Sequence, residues 1–212
     1  MVRSKVVSAS ILIAIFLLSV QSPIYLQDIQ SSETNGRSQI TWSGEVVLNN
    51  HYTIPVTDEL VVSACTNVTM ANGVRIYVEG RITVEGTSSC PVYFDYAGGG
   101  DHMGIQFNSS SNGRGSKIDN ASIIHSTYGI TIYGSNPILS NVTIFDPDDV
   151  GVDLFNSATP VIRNLVIEEA GQDWSFPTYW RYGIGLSIGA GSAPNIDGLV
   201  VNDAVTRGLN IW

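Results

Sequence analysis

The chain of 212 residues sets 10 Lys and Arg against 19 Asp and Glu, and its formal net charge of -9 makes nucleic acid and anionic membrane surfaces poor partners. With 14% charged residues, 43% hydrophobic residues and 21 glycines, an acidic disordered tail is excluded in favour of an ordered, turn-rich β protein.

Arg3 and Lys5 precede an apolar run from Val6 to Val20, so residues 1–22 read as a signal peptide or an uncleaved N-terminal anchor. The run is short for a membrane span of about 20 residues, while Ser19-Val20-Gln21 is a poor cleavage site. Either way the chain is expected to be exported, extracellular or at the cell surface, and to touch a membrane only through that segment. Residues 23–39 are rich in Ser and Gln without periodicity and read as a linker.

From Ile40 onward short β-prone runs begin, and Gly73 to Gly86 alternates apolar and polar residues, the pattern of strands with one wet face. Pro91 to Phe94 and Gly104 to Phe107 continue it. From Gly129 the chain repeats. Gly129-Ile130-Thr131-Ile132, Gly151-Val152-Asp153-Leu154, Gly185-Leu186-Ser187-Ile188 and Gly208-Leu209-Asn210-Ile211 share a Gly-apolar-x-apolar pattern. Pro137, Pro160 and Pro194 follow the first three, and beyond each proline stands Asn141, Asn164 or Gly198 before another apolar-x-apolar run.

Such an imperfect repeat, with three short strands in about 22 residues, marks a solenoid. Asn120 falls in the same column as Asn141, Asn164 and Gly198. Asn and Gly enter the left-handed backbone region at low cost, so a tight corner is expected there, with its asparagines buried against neighbouring coils. Cys65 and Cys90 lie about one repeat apart, which would set them side by side on adjacent coils. Export permits a disulfide between them; the alternative is two separately buried thiols.

Residues 40–212 resemble the right-handed parallel β-helix of the pectin lyase-like superfamily, whose coils carry three strands and a short corner capped by stacked asparagines. The resemblance implies an all-β, right-handed parallel β-helix domain over 40–212. It places Gly129 to Ile132 on a first strand, Pro137 to Leu139 on a second, Asn141 at the corner and Val142 to Ile144 on a third. The fold hosts lyases, hydrolases and adhesins alike, so it does not by itself select an activity.

In the enzymes of this fold the substrate groove follows the first strands, which implies an outward row of Gln106, Thr131, Asp153, Ser187 and Asn210. One acid in that row is not the pair of carboxylates a glycoside hydrolase needs, so no catalytic residue is assigned within these coils. A second column, His125, Asp146, Glu169 and Asp203, brings acids onto neighbouring coils about 4.8 Å apart. Asp146, Asp148, Asp149 and Asp153 offer hard oxygen ligands, and calcium is the cofactor they suit. In the longest loop Trp174, Tyr179, Trp180 and Arg181 combine rings with a guanidinium, a set suited to carbohydrate binding.

The functional expectation is an exported, glycan-facing β-helix module, its partner a polysaccharide or cell-surface glycan. The alternatives are a polysaccharide lyase or glycoside hydrolase whose active site lies in further coils, and a structural surface-layer or adhesin stalk. Because Gly208 to Ile211 restarts the repeat, the helix is expected to be incomplete at its C-terminus and able to self-associate through that coil.

Overall fold

The computed structural model describes residues 30–34, 36–172 and 182–212. They form a parallel β-solenoid of about seven turns, as the repeat predicts. Among the described residues the only helical element is a single 3-10 turn, Ser109–Ser111, and none is long and apolar enough to cross a membrane.

Strands are numbered in chain order. The first wall stacks β4 (Tyr52–Ile54), β7 (Ile76–Val78), β10 (Ile105–Phe107), the ends of β11 (Lys117–Tyr133) and β12 (Ile138–Phe155), then β14 (Ile184–Ile188) and β16 (Arg207–Ile211). The second stacks β2 (Arg37–Trp42), β5 (Asp58–Ser63), β8 (Arg81–Glu85), the starts of β11 and β12, and the starts of β13 (Val161–Glu168) and β15 (Asn195–Asn202). The third holds β3 (Glu45–Leu48), β6 (Asn67–Met70), β9 (Val92–Tyr96), the middles of β11 and β12, and the ends of β13 and β15.

Strand pairing begins earlier than the reading of 23–39 as linker allows. Here β1 (Gln30–Thr34) folds back antiparallel onto β2, with Gly36 between them at φ 73°. Asn35-Gly36 is a hairpin dipeptide.

Because side chains alternate along each strand, every wall sends one row inward, and in-register stacking turns each row into a column. Val62, Val84, Ile118, Leu139 and Ile162 form one such column, each fully buried. Phe107, Ile132 and Leu154 face them from the first wall, and Phe94, Ile123, Ile144 and Ile167 from the third. Each of these side chains contributes about 1.5 to 3 kcal/mol through removal from water.

The repeat's opening glycine is explained by space rather than by backbone freedom. A Cβ at Gly129 would lie 2.5 Å from the Gly151 carbonyl oxygen and 2.6 Å from Ile144 Cγ2, and one at Gly151 would lie 2.7 Å from both the Gly185 oxygen and Ile167 Cγ2. At this edge the first and third walls converge, and only hydrogen fits.

The opposite corner does use the left-handed region. Asn120, Asn141, Asn164 and Gly198 have φ of 48°, 53°, 51° and 81°. The Asn164 side-chain amide donates to Asn141 Oδ1, and Asn141 in turn donates to Asp119 Oδ1, each over 3.0 Å. The ladder therefore ends on a carboxylate. Asn120 donates instead to the Gly86 carbonyl (3.2 Å) and to Asp119 (3.0 Å). The expectation that these asparagines are buried is corrected, since Asn141 and Asn164 are exposed and Asn120 is half-buried: at a convex corner the side chain lies along the surface.

Towards the N-terminus the same corner is held covalently. Cys65 and Cys90 form a disulfide with their Cα atoms 4.8 Å apart, which in the loop-entropy account is worth about 3 kcal/mol.

Candidate functional site

The outward row of the first wall is in register as the resemblance implies, with Gln106 beside Thr131, Thr131 beside Asp153, Asp153 beside Ser187 and Ser187 beside Asn210. Yet three of these residues are buried, Thr131 at 6% exposure, Asp153 at 3% and Ser187 at 1%. Further along the row Trp212 Nε1 donates to Ser187 Oγ over 3.3 Å. Above Thr131 and Asp153 lies a cleft of about 370 Å³, walled by Arg75, Gln106, Tyr128 and Phe155.

Arg75 is the residue that sequence reasoning missed. It precedes β7 and reaches across two coils: Nε donates to the Met103 carbonyl (2.9 Å) and Nη1 to Gln106 Oε1 (2.5 Å). Its guanidinium carbon lies 5.4 Å from the centre of the Tyr128 ring and 6.0 Å from that of Tyr77. Burial lowers its proton affinity, opposed by Tyr77 and Tyr128. The ion pairs among the described residues join Arg81 to Glu59, Lys117 to Asp119 and His125 to Asp95; none involves Arg75. A carbonyl, an amide and ring faces hold this guanidinium in a cleft that Asp153 also lines. Only its place in an alternating strand was visible in the sequence, because the partners come from other coils.

The column of His125, Asp146, Glu169 and Asp203 proves to be a second left-handed corner, with φ of 54°, 53°, 58° and 54°. These residues turn the chain from the third wall to the loop before the first. His125 pairs with Asp95 rather than with its column neighbour (Nδ1 to Oδ1, 3.0 Å).

Of the four aspartates read as calcium ligands, Asp153 is on the first wall and Asp146 at the corner, while Asp146 and Asp149 are near enough to Asp148 for their charges to act on it. Among the described residues no three His, Cys, Asp or Glu side chains are placed as a group that could hold a metal ion. Burial, then the hydrogen bond and charge of Asp101, with smaller contributions from Asp146 and Asp149, push the Asp148 carboxyl up to about 7. Next to Asp101, His102 is fully buried. Gly104 N donates to its Nδ1 (3.0 Å), so the ring proton sits on Nε2, 3.0 Å from the Ile124 carbonyl. Burial pulls this imidazole down to about 4 despite that hydrogen bond and the nearby Asp95 and Asp101. His102 therefore serves as a neutral structural link between coils.

Trp174, Tyr179, Trp180 and Arg181 lie outside the described residues. The base of their loop is fixed by the buried Tyr182, whose hydroxyl donates to the Gly171 carbonyl.

A family model described as right handed beta helix region matches residues 34–212. No curated protein matches the sequence. Among solved structures the chain is similar to the crystal structure of alginate lyase from Paenibacillus sp. str. FPU-7, with a TM-score of 0.42 and 17% identity. That similarity covers 69% of this chain and 54% of the other, so the chain spans about half the length of that enzyme.

Proposed function

The chain belongs to the right-handed β-helix family, and on that scaffold we propose an exported module that binds glycan in the first-wall cleft. The observation that carries this reading is Arg75, a half-buried cation that has no ion-pair partner among the described residues and lines one cleft with Thr131 and Asp153. Its remaining donors suit a sugar carboxylate or hydroxyl oxygen. The Tyr128 and Phe155 rings suit the apolar face of a pyranose, and Thr131, Gln106 and Asp153 suit its hydroxyls. The disulfide supports an oxidising compartment, consistent with export.

The test is a screen of acidic and neutral polysaccharides by calorimetry, with Arg75→Ala and Trp180→Ala as variants. Binding by the parent chain and loss of at least tenfold in affinity with Arg75→Ala is expected, as for removal of a charge-assisted hydrogen-bond donor. Binding that survives Arg75→Ala unchanged, or no binding to any glycan, overturns the assignment. A second reading, polysaccharide cleavage, is favoured by one observation: Tyr128 and Asp153 share the cleft with Arg75 and can exchange protons. New reducing ends appearing during the same incubations would support it.

A further inference from the structure

A second depression, of about 290 Å³, lies on the third wall, away from Arg75. Its floor is the central strand β6, which presents Asn67 and Thr69 outward. Glu45 flanks it from β3, and Tyr93, Asp95 and Tyr96 flank it from β9. In register, Glu45 sits beside Asn67, Asn67 beside Tyr93, and Thr69 beside Asp95.

Adjacent strands are about 4.8 Å apart, so β3 and β9 stand about 10 Å apart, room for one sugar ring lying over β6. Glu45 Oε1 accepts the Asn67 amide (2.7 Å), and Asp95 Oδ1 accepts both the Tyr96 backbone N–H (2.7 Å) and His125 Nδ1 (3.0 Å). These bonds fix both carboxylates while engaging one oxygen of each. The Tyr96 ring is held edge-on to His125, with centroids 4.6 Å apart, and Tyr93 is 39% exposed.

Among the described residues no Lys or Arg lines this groove. Glu45 on β3 and Asp95 on β9, the latter beside Tyr93 and Tyr96 on its own strand and held by His125 through one oxygen, make a site for a positive charge, since rings and carboxylates both attract one and repel an anion. The amide and hydroxyl of Asn67 and Thr69 add partners for ring hydroxyls. From this arrangement we infer that the third-wall groove is a binding site for an amino sugar carrying a free, protonated amine. This specificity is opposite in sign to that of the first-wall cleft and does not depend on it.

The probe is a β-linked glucosamine oligosaccharide titrated calorimetrically into the full chain, beside its fully N-acetylated counterpart of equal length. The amine form should bind at least about tenfold more tightly than the acetylated form, and its affinity should fall as salt is raised, as for a screened charge contact. Asp95→Asn and Tyr93→Ala should each weaken amine binding severalfold, while Arg75→Ala should leave it unchanged. Equal affinity for the two forms would reduce the groove to neutral ring stacking and overturn the proposal. Absence of amine binding would overturn it as well. Loss of amine binding in Arg75→Ala would move the ligand to the first-wall cleft. The comparison of the two oligosaccharides on the parent chain stands even if a variant fails to fold.

Discussion

Replacing Asn141 tests what holds the coils at their corner. Its side chain links Asn164 on one side to Asp119 on the other, each bond 3.0 Å long, and its backbone stands at φ 53°. Asn141→Ala removes both side-chain bonds and forces a Cβ-bearing residue without a compensating amide into the left-handed region. The bonds are exposed, so about 0.5 kcal/mol each is appropriate, and the backbone cost adds at least about 1 kcal/mol. The total is about 2 kcal/mol, which for a chain of this size lowers the melting temperature by about 4 to 8 °C. Asn141→Gly loses the same bonds but adopts the left-handed backbone without strain, so it should cost about half as much. Removing the amide also strips a hydrogen bond from Asp119. That carboxyl lies below its ordinary range because Lys117 and Asn141 outweigh the effect of burial. Thermal melts followed by circular dichroism, with a titration of Asp119 by NMR, read all three effects. Equal stability of the Ala and Gly variants would refute the left-handed corner as the cause, and an unmoved Asp119 titration would refute the ladder.

Two further predictions concern the acids. A carboxyl whose folded-state pKa stands above its unfolded value stabilises the fold while protonated, so the Asp148 contribution is present at low pH and lost as pH rises from about 4 through about 7. Because Asp148 is about half exposed, the loss is discounted to about 1 to 2 kcal/mol; Asp148→Asn should flatten it and raise the melting temperature at pH 8, and an unaltered pH profile would show that Asp101 and Asp148 do not share a proton. For calcium, the expectation at Asp146, Asp148, Asp149 and Asp153 is a rise in melting temperature at millimolar concentration by mass action, measured beside magnesium at the same concentration. A calcium-specific rise abolished by combining Asp146→Asn with Asp153→Asn would establish a site at these residues.

The fold was legible because a solenoid writes its cross-section into every coil. The glycines at 129, 151 and 185, the prolines at 137, 160 and 194 and the asparagines at 120, 141 and 164 each mark one geometric necessity. Once they are aligned, the three walls follow. The hairpin before β2 was hidden by polar composition, although Asn35-Gly36 signalled it. The second left-handed corner was hidden by chemistry: His125, Asp146, Glu169 and Asp203 drew attention as charges, while their shared role is in the backbone.

The candidate site was legible only as a row. Gln106, Thr131 and Asp153 were placed correctly because one strand direction fixes them. Arg75 could not be found, since its partners Met103, Gln106 and Tyr128 come from different coils and their meeting depends on loop paths. The third-wall groove escaped for the same reason. Glu45, Asn67 and Tyr93 become neighbours only when their three strands stack.

The crowded glycine edge has a consequence for how such a surface can change. With the first and third walls pressed together at Gly129, Gly151 and Gly185, and the asparagine corner pinned opposite, no coil has freedom to lengthen along its walls. Extra residues are accommodated only in loops, as in the long connection between Gln172 and Tyr182, after which Ser187 still falls in line with Asp153. The outward rows thus behave like type set on a fixed grid. A whole coil inserted between two others would translate part of the row by one strand spacing without disturbing the letters on either side, whereas a single residue inserted within a wall would scramble every column it crosses. Surfaces built this way change by duplicating and exchanging coils, and a ligand that lies across the coils is read one residue per step.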